Sequence, residues 1–167
     1  MKIAIGCDHG GINLKPVLVE YLDKKGIEYK DCGCFGTESV DYNDYALPVC
    51  KAVIDGECEK GILICGTGIG MSIVANKIKG IRCGHCHDVF SAKMTRLHND
   101  ANVLALGERV VGPGLFIEIV DAFLSTPFPS LVYRLEKSPI ICLPFSYTLS
   151  FRRSLCFYIR GCRIHLR

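Results

Sequence analysis

The chain has 167 residues, of which 49% are hydrophobic and 22% charged, and its formal net charge is +3. This length is enough for one domain with a full hydrophobic core, and no apolar run approaches the roughly 18 residues that suggest a membrane-spanning helix. The N-terminus enters a strand pattern directly, without the layout of a signal peptide, so we expect a cytoplasmic protein that inserts into no membrane.

Eleven cysteines are a count more typical of small secreted domains held together by disulfides. The odd number, the length of the chain and the lack of a secretory signal all argue against that interpretation. We therefore expect the thiols to be mostly reduced and mostly buried.

The first 128 residues alternate between strand-like and helix-like patterns. Short apolar segments predict strands, and the amphipathic segments between them predict helices. This alternation favours an α/β fold, namely a doubly wound, five-stranded parallel sheet in a Rossmann-like three-layer sandwich. The expected strands are 2–7, 28–32, 60–65, 82–86 and 102–106, and the expected helices are 11–25, 43–55, 69–78, 88–97 and 113–125.

The pattern changes at Pro127-Phe128-Pro129, which divides the chain into a domain over 1–128 and a divergent C-terminal tail over 129–167. The domain contains 13 Lys and Arg against 16 Asp and Glu, whereas the tail contains seven against one. The positive net charge is therefore a property of the tail. Because the tail has no heptads, no clean amphipathic face and no nucleic-acid motif, we expect neither nucleic acid nor a membrane as partner.

Ligands of doubly wound sheets bind beyond the carboxyl ends of the strands. Asp8-His9-Gly10-Gly11 follows the first predicted strand and Cys65-Gly66-Thr67-Gly68 follows the third, so both are expected at the same edge. In contrast, His98-Asn99-Asp100-Ala101-Asn102 precedes the fifth strand and belongs to the opposite edge. A second subunit would have to bring that segment to the site.

The segment from Ile64 to Asn76 joins a predicted strand to the start of a predicted helix through a glycine-rich turn. Such a turn presents backbone N–H groups and the positive end of a helix dipole, which attract an anion and favour the ionised form of a nearby thiol. The turn is neither a dinucleotide fingerprint, since Met71 replaces the last glycine, nor a P-loop. Cys65 beside this turn suggests a base that generates an enolate-like anion; the alternative is a structural turn with an inert cysteine.

Three histidine-containing segments leave alternatives open. His9 and His98 suit acid–base chemistry near neutrality, but structural hydrogen bonds would explain them equally well. The segment from Cys83 to His87 resembles a zinc-binding cluster. However, alternate residues of a strand face opposite sides, and no second Cys/His pair has zinc-finger spacing. We therefore predict no metal site.

Six segments of the first 128 residues form one pattern: Asp8-His9-Gly10-Gly11, Ser39-Val40-Asp41-Tyr42, residues 64–72, Ala75-Asn76-Lys77, His98-Asn99-Asp100-Ala101-Asn102 and Leu106-Gly107-Glu108-Arg109. Taken together, these segments resemble the B-type ribose-5-phosphate isomerases, over roughly three quarters of the chain. The wider family includes galactose-6-phosphate and allose-6-phosphate isomerases.

The resemblance implies interconversion of D-ribose 5-phosphate and D-ribulose 5-phosphate through an enediolate, with no cofactor and no metal. It implies a homodimer, or a tetramer, with its sites at the subunit interface. Cys65 matches the base that moves a proton between C2 and C1, His98 matches the residue that assists ring opening, and Thr67 adds a hydroxyl. The implied substrate-binding residues are Asp8, His9, Tyr42, Gly66, Gly68, Ile69, Gly70, Asn99 and Arg109.

The tail departs from the family pattern, which continues with two phosphate-binding arginines. In an alignment without gaps, the positions of these arginines are taken by Val132 and Glu136. A short gap would place Arg134 at the position of the second arginine. Two alternatives to a ribose-5-phosphate isomerase therefore stay open: an isomerase of a six-carbon sugar 6-phosphate, and a sugar-phosphate-binding module with impaired catalysis. The cysteine count leaves a thiol-redox or zinc protein as a third.

Overall fold

The structure is a computed structural model and describes residues 1–129. The expectations for the tail, including those for Val132, Arg134 and Glu136, lie outside the described residues. Five strands and five α-helices alternate along the described part of the chain. The strands are β1 (Lys2–Cys7), β2 (Glu28–Asp31), β3 (Lys60–Cys65), β4 (Cys83–His85) and β5 (Val103–Gly107), and the helices are α1 (Leu14–Lys25), α2 (Asn43–Ile54), α3 (Ile69–Asn76), α4 (Val89–Leu97) and α5 (Pro113–Ser125).

All five strands form one parallel sheet in the order β2-β1-β3-β5-β4. The central strands β1, β3 and β5 are almost continuously apolar, because a parallel sheet covered by helices buries both of its faces. The predicted doubly wound α/β sheet is therefore confirmed, and the carboxyl ends of β1, β3 and β5 lie side by side at one edge.

Two hydrophobic cores lie on opposite faces of this sheet. One contains Leu18 of α1, Ala92 of α4 and Phe116 and Phe123 of α5. The other is formed by small and medium side chains of α2 and α3, such as Val49 and Met71. The two faces of the sheet are thus covered by different helices, as in a three-layer sandwich.

The first helix begins later than the sequence pattern predicts. The Asp8 side chain accepts a hydrogen bond from the N–H of Gly10 and caps a 3₁₀ turn over His9–Gly11, so α1 starts only at Leu14. The turn also runs very close to β3, since a Cβ placed on Gly11 would lie 2.5 Å from the carbonyl oxygen of Ile64. The chain after β1 is thereby held against the end of β3.

The largest of the other differences are a shorter β4 and a shorter α3, and the remaining bounds differ from the expected ones by at most one residue. Strand β4 has three residues rather than five, so Cys86 and His87 lie beyond its end. The eight cysteines of residues 1–129 are all free, and six of them are buried, which agrees with the expectation. Within residues 1–129, no helix has the length and apolar character needed to cross a bilayer.

Candidate active site

The turn after β1 and the turn after β3 meet at the carboxyl edge of the sheet. The Asp8 N–H donates to the carbonyl of Ile64 at 3.2 Å, and a Cβ placed on Gly10 would lie only 2.9 Å from the backbone nitrogen of Gly66. Asp8 itself is buried, with 6% of its surface exposed. The sequence-based expectation that these two motifs share an edge is confirmed.

His9 is oriented by the loop that follows β2. Its Nδ1 accepts a hydrogen bond from the N–H of Val40 at 3.2 Å. A ring nitrogen that accepts carries no proton, so in the neutral imidazole the proton is on Nε2. His9 therefore has a donor at the far end of its ring, which suits contact with a hydroxyl or phosphate oxygen.

Cys65 is the last residue of β3, and its sulfur faces the glycine-rich turn. The Gly68 N–H donates to the Cys65 Sγ at 3.0 Å. Gly68 has a φ of 82° and stands at the N-cap of α3, where no side chain caps the helix. A backbone donor aimed at the sulfur and the start of a helix beside it both stabilise negative charge on a thiolate.

Four other thiols make hydrogen bonds in the opposite direction. The thiols of Cys7, Cys32, Cys34 and Cys83 donate to backbone carbonyls. Burial raises the pKa of the Cys7 thiol to about 12, and it also raises the pKa of the Cys83 thiol. The thiols of Cys7 and Cys83 are thus held protonated and act as small apolar side chains.

The remaining residues of the turn order the start of α3. The Thr67 hydroxyl accepts from the N–H of Ile69 at 3.3 Å, and the Ser72 hydroxyl donates to the carbonyl of Ile69 at 2.8 Å. Ile69 is the first residue of α3 and is half exposed. The hydroxyl oxygen of Thr67 is occupied as an acceptor, so its proton is available to another oxygen.

Arg109 and Tyr42 bring further side chains to the glycine-rich turn. The Arg109 N–H donates to the carbonyl of Gly66 at 3.0 Å, and a Cβ on Gly66 would lie 3.5 Å from the guanidinium carbon. The Tyr42 ring lies 3.2 Å from where a Cβ on Gly70 would be. A Cβ at Gly70 would thus be unusually close to the tyrosine ring, whereas one at Gly66 would make an ordinary van der Waals contact with the arginine.

The His98–Asn99 segment lies at the other edge of the sheet. His98 is the C-cap of α4, and β5 begins only at Val103. In the register of β3 with β5, Val103 pairs with Gly61 and Gly107 pairs with Cys65. Four residues of strand separate the two edges, about 13 Å, so His98 and Asn99 do not join Cys65 within one chain.

Two arginines hold the His98–Asn99 segment in shape. Arg96 is 7% exposed and donates to the Asp100 carboxylate and to the Ala101 carbonyl, while Arg82 donates to the carboxylate and the carbonyl of Asp100. Asp100 has a φ of 49°, a backbone conformation that is uncommon for residues other than glycine and in which Asn, Asp and His are enriched. These hydrogen bonds fix the backbone directly after Asn99.

Two residues of the site were not predicted from the sequence. The Glu108 carboxylate accepts hydrogen bonds from the backbone N–H groups of Asn13 and Leu14 and from the Asn13 side chain. His85 places its Nε2 2.8 Å from the Thr67 carbonyl oxygen. The position of Glu108 directly before Arg109 is a sequence signal that points to it. For His85 the surrounding Cys/His-rich pattern indicates only a metal cluster.

The segment from Cys83 to His87 does not gather its side chains around a common point. Within residues 1–129, no group of three or more His, Cys, Asp or Glu side chains is arranged to hold a metal ion. His85 faces the glycine-rich turn instead, and its ring meets that of His87 edge-on with centroids 4.3 Å apart.

The fold and the site define a doubly wound α/β protein with a buried thiol beside a glycine-rich turn at the carboxyl edge of its sheet. Comparison with known proteins gives the family. The profile of the family described as Ribose/Galactose Isomerase matches residues 3–137. The chain belongs to the ribose/galactose isomerase family.

Individual relatives match over most of their length. A Bacillus subtilis protein named provisionally as a sugar phosphate isomerase is 60% identical over 129 residues, which are 77% of this chain and 87% of the relative. Ribose-5-phosphate isomerase B of Escherichia coli is 51% identical over 76% of this chain and 85% of its own. The solved structure of Clostridium thermocellum ribose-5-phosphate isomerase B has a TM-score of 0.78 and 53% identity, and the match covers 81% of this chain and 92% of that one.

Proposed function

We propose that this protein interconverts D-ribose 5-phosphate and D-ribulose 5-phosphate, a step of the pentose phosphate pathway. The observation that carries the proposal is the Gly68 N–H donating to the Cys65 sulfur at the start of α3. An aldose–ketose shift needs a base at the carbon beside the carbonyl and donors where the oxyanion develops, and this turn combines the two.

The proposed reaction transfers one proton between neighbouring carbons. The Cys65 thiolate removes the proton from C2 of the open-chain aldose, and the electron pair of that bond forms the C1=C2 double bond while negative charge develops on O1. The backbone N–H groups of Gly66, Thr67 and Gly70 stabilise this charge, since those of Gly68 and Ile69 donate to the Cys65 sulfur and the Thr67 hydroxyl. The thiol then returns the proton to C1, while the O2 hydroxyl loses its proton as the ketone forms and O1 gains one. The Thr67 hydroxyl is our candidate for this exchange between oxygens.

Other residues bind the sugar phosphate in this proposal. Asp8 and His9 contact the sugar from the turn after β1, and Tyr42 closes the cleft over Gly70. The exposed Arg109 guanidinium supplies positive charge for a phosphate or hydroxyl oxygen beside Gly66.

We assign His98 and Asn99 to the site of a second copy of the chain, so that the active unit is at least a homodimer. Two features support this assembly. The His98–Asn99 segment lies at the edge of its own sheet opposite Cys65, and Asp100, which directly follows it, is bound by Arg82 and Arg96. In addition, α2 and α3 each expose a pair of apolar side chains on one helical face, of the kind that a subunit interface covers. These pairs are Leu47 with Ile54 and Ile69 with Ile73.

The cytoplasm is the compartment that we propose, because eight free thiols fit a reducing environment.

The family description includes galactose as well as ribose, so an isomerase of a six-carbon sugar phosphate is the second candidate. A cleft sized for five carbons is expected to discriminate against the longer chain, and a substrate panel separates the two candidates.

The decisive experiment measures conversion of ribose 5-phosphate to ribulose 5-phosphate by the purified full-length chain. We expect turnover by the wild type and a loss of about 100-fold or more in kcat for Cys65→Ala, since it removes the base. Cys50→Ala is the matched control, because it removes another buried thiol that lies away from the site. Turnover of Cys65→Ala near the wild-type value would contradict the proposed role of Cys65, and absence of wild-type turnover on ribose and six-carbon phosphates would favour a binding module.

A further inference from the structure

The peptide group between Thr67 and Gly68 makes a hydrogen bond on each side. Its carbonyl oxygen lies 2.8 Å from the Nε2 of His85, and its N–H donates to the Cys65 Sγ at 3.0 Å. The carbonyl and the N–H belong to one planar unit and point in opposite directions. The imidazole and the thiol are therefore coupled through a single rigid peptide.

The chemistry of this contact fixes the tautomer of His85. A carbonyl oxygen only accepts hydrogen bonds, so the Nε2 of His85 must carry a proton. The ring packs tightly against the turn, since a Cβ on Gly68 would lie 2.6 Å from Nε2 and 2.7 Å from Cδ2. The His87 ring meets the His85 ring edge-on, which adds a second contact to the imidazole.

The backbone torsions of Gly68 do not by themselves fix the orientation of this peptide, which depends on the contacts of the Thr67 carbonyl with Gly107 and His85. Gly68 has a φ of 82°, and glycine accepts either sign of φ at little cost, so the residue itself does not hold the peptide in one orientation. Rotation would turn the Gly68 N–H away from the Cys65 sulfur. The hydrogen bond from His85 opposes this rotation, because the rotated carbonyl would lose its donor.

We infer that His85 is a positioning residue for Cys65, which it serves by holding the Thr67–Gly68 peptide so that the Gly68 N–H points at the thiolate. The inference rests on the proposed function, in which Cys65 is the base. His85 does not contact the substrate in this scheme. A substitution of His85 should therefore slow proton transfer by Cys65 and lower kcat, while substrate binding stays the same.

The test compares two amides at position 85. In His85→Gln the side-chain NH₂ is as many bonds from Cβ as the imidazole Nε2 is, so it reaches the Thr67 carbonyl. In His85→Asn the amide stops near the position of Nδ1 and does not reach it. His85→Leu removes the donor entirely, which gives a second disrupted variant in case the asparagine disturbs β4.

We expect the substitutions that remove the hydrogen bond to change kcat but not KM. In His85→Asn and His85→Leu, kcat falls roughly threefold to tenfold, as for the loss of one hydrogen bond, while KM changes little. His85→Gln keeps kcat within about twofold of wild type. Equal kcat values for the glutamine and asparagine variants, or a change confined to KM, would overturn the inference.

A second readout needs no substrate. We expect the Gly68 amide to exchange its proton for deuterium roughly threefold to tenfold faster in the asparagine and leucine variants than in wild type, because its hydrogen bond to sulfur is less often formed. The exchange rates of the Ile62 and Leu63 amides in β3 are the control, because they would also rise if the substitution destabilised the whole domain. Unchanged Gly68 exchange would refute the role of His85 even if the protein isomerises ribose 5-phosphate, whereas absent turnover with the expected exchange would refute only the proposed function.

Discussion

The side chains around Cys7 and Cys50 determine the pKa values of these two thiols. Burial among apolar side chains raises the pKa of Cys7 to about 12 and that of Cys50 to about 11. Cys65 is also buried, with 6% of its surface exposed, but its sulfur accepts an N–H from the backbone. A backbone donor, rather than exposure to water, is thus the feature that distinguishes the proposed base.

The pKa of Cys50 predicts a pH dependence of stability. The folded state raises it from 9.0 to about 11, so the folded protein binds this proton more tightly than the unfolded chain does. The resulting stabilisation is fully present below pH 9.0 and is lost as the pH rises from 9.0 to about 11. We expect the difference in the free energy of unfolding between wild type and Cys50→Ala to shrink over that window.

Urea denaturation of both proteins at about pH 8 and about pH 10.5 measures this difference. Taking the difference cancels the contribution of other titrating groups, including Lys60, whose pKa burial lowers to about 8. A difference that stays constant between the two pH values would show that the Cys50 thiol titrates alike in the folded and unfolded states.

At the scale of secondary structure, the site is assembled by contacts between elements that are distant in sequence. Glu108, just after β5, caps the start of α1 through two backbone N–H groups and the Asn13 side chain. The carboxylate also complements the positive end of the α1 dipole. Through these hydrogen bonds, Glu108 connects the turn that contains Asp8 and His9 to the segment that contains Arg109.

Removing this cap is expected to destabilise the domain. Glu108→Ala leaves the N–H groups of Asn13 and Leu14 without their acceptor, so we expect a loss of about 1–2 kcal/mol in the free energy of unfolding. Glu108→Gln keeps an acceptor oxygen and is expected to lose less. Glu118→Ala, at an exposed position of α5, is the control and should change stability by less than about 0.5 kcal/mol. Equal stability of Glu108→Ala and the control would argue against the capping role.

For the whole molecule, the important feature is that the candidate site residues lie at two opposite edges of one sheet. The thiol turn, Asp8 and Arg109 are at the carboxyl edge, while His98 and Asn99 are at the amino edge. In the function that we propose, a chain with this arrangement would complete its site only with a second copy. A symmetric pair of chains would then contain two shared sites.

Subunit mixing tests this arrangement directly. Cys65→Ala and His98→Gln are each expected to be nearly inactive alone. If the two variants are refolded together in equal amounts, half of the dimers contain one intact site, so about a quarter of the wild-type activity should return. Refolding each variant alone is the control. No gain on mixing, with mixed dimers demonstrated by mass spectrometry, would contradict the shared site.

Hydrophobic periodicity in the sequence was enough to predict all five strands, all five helices and the parallel sheet. The glycine-rich turn after β3 and the cysteine at its start could also be predicted, because a strand, a turn and a helix that follow one another in sequence determine their own local geometry. The separation of His98 from Cys65 followed from the same reasoning, since parallel strands place the start of β5 at the edge opposite the end of β3. The catalytic roles of both residues stay predictions.

The tertiary structure alone decided what His85 and Glu108 contact. In the sequence, His85 belongs to a Cys/His-rich segment that resembles a metal site, but the short β4 places its ring against the Thr67 carbonyl instead. Glu108 lies 95 residues from Asn13, whose backbone it caps. Local patterns carry no information on such contacts, because they depend on how the strands pair and how the loops at their ends pack against one another.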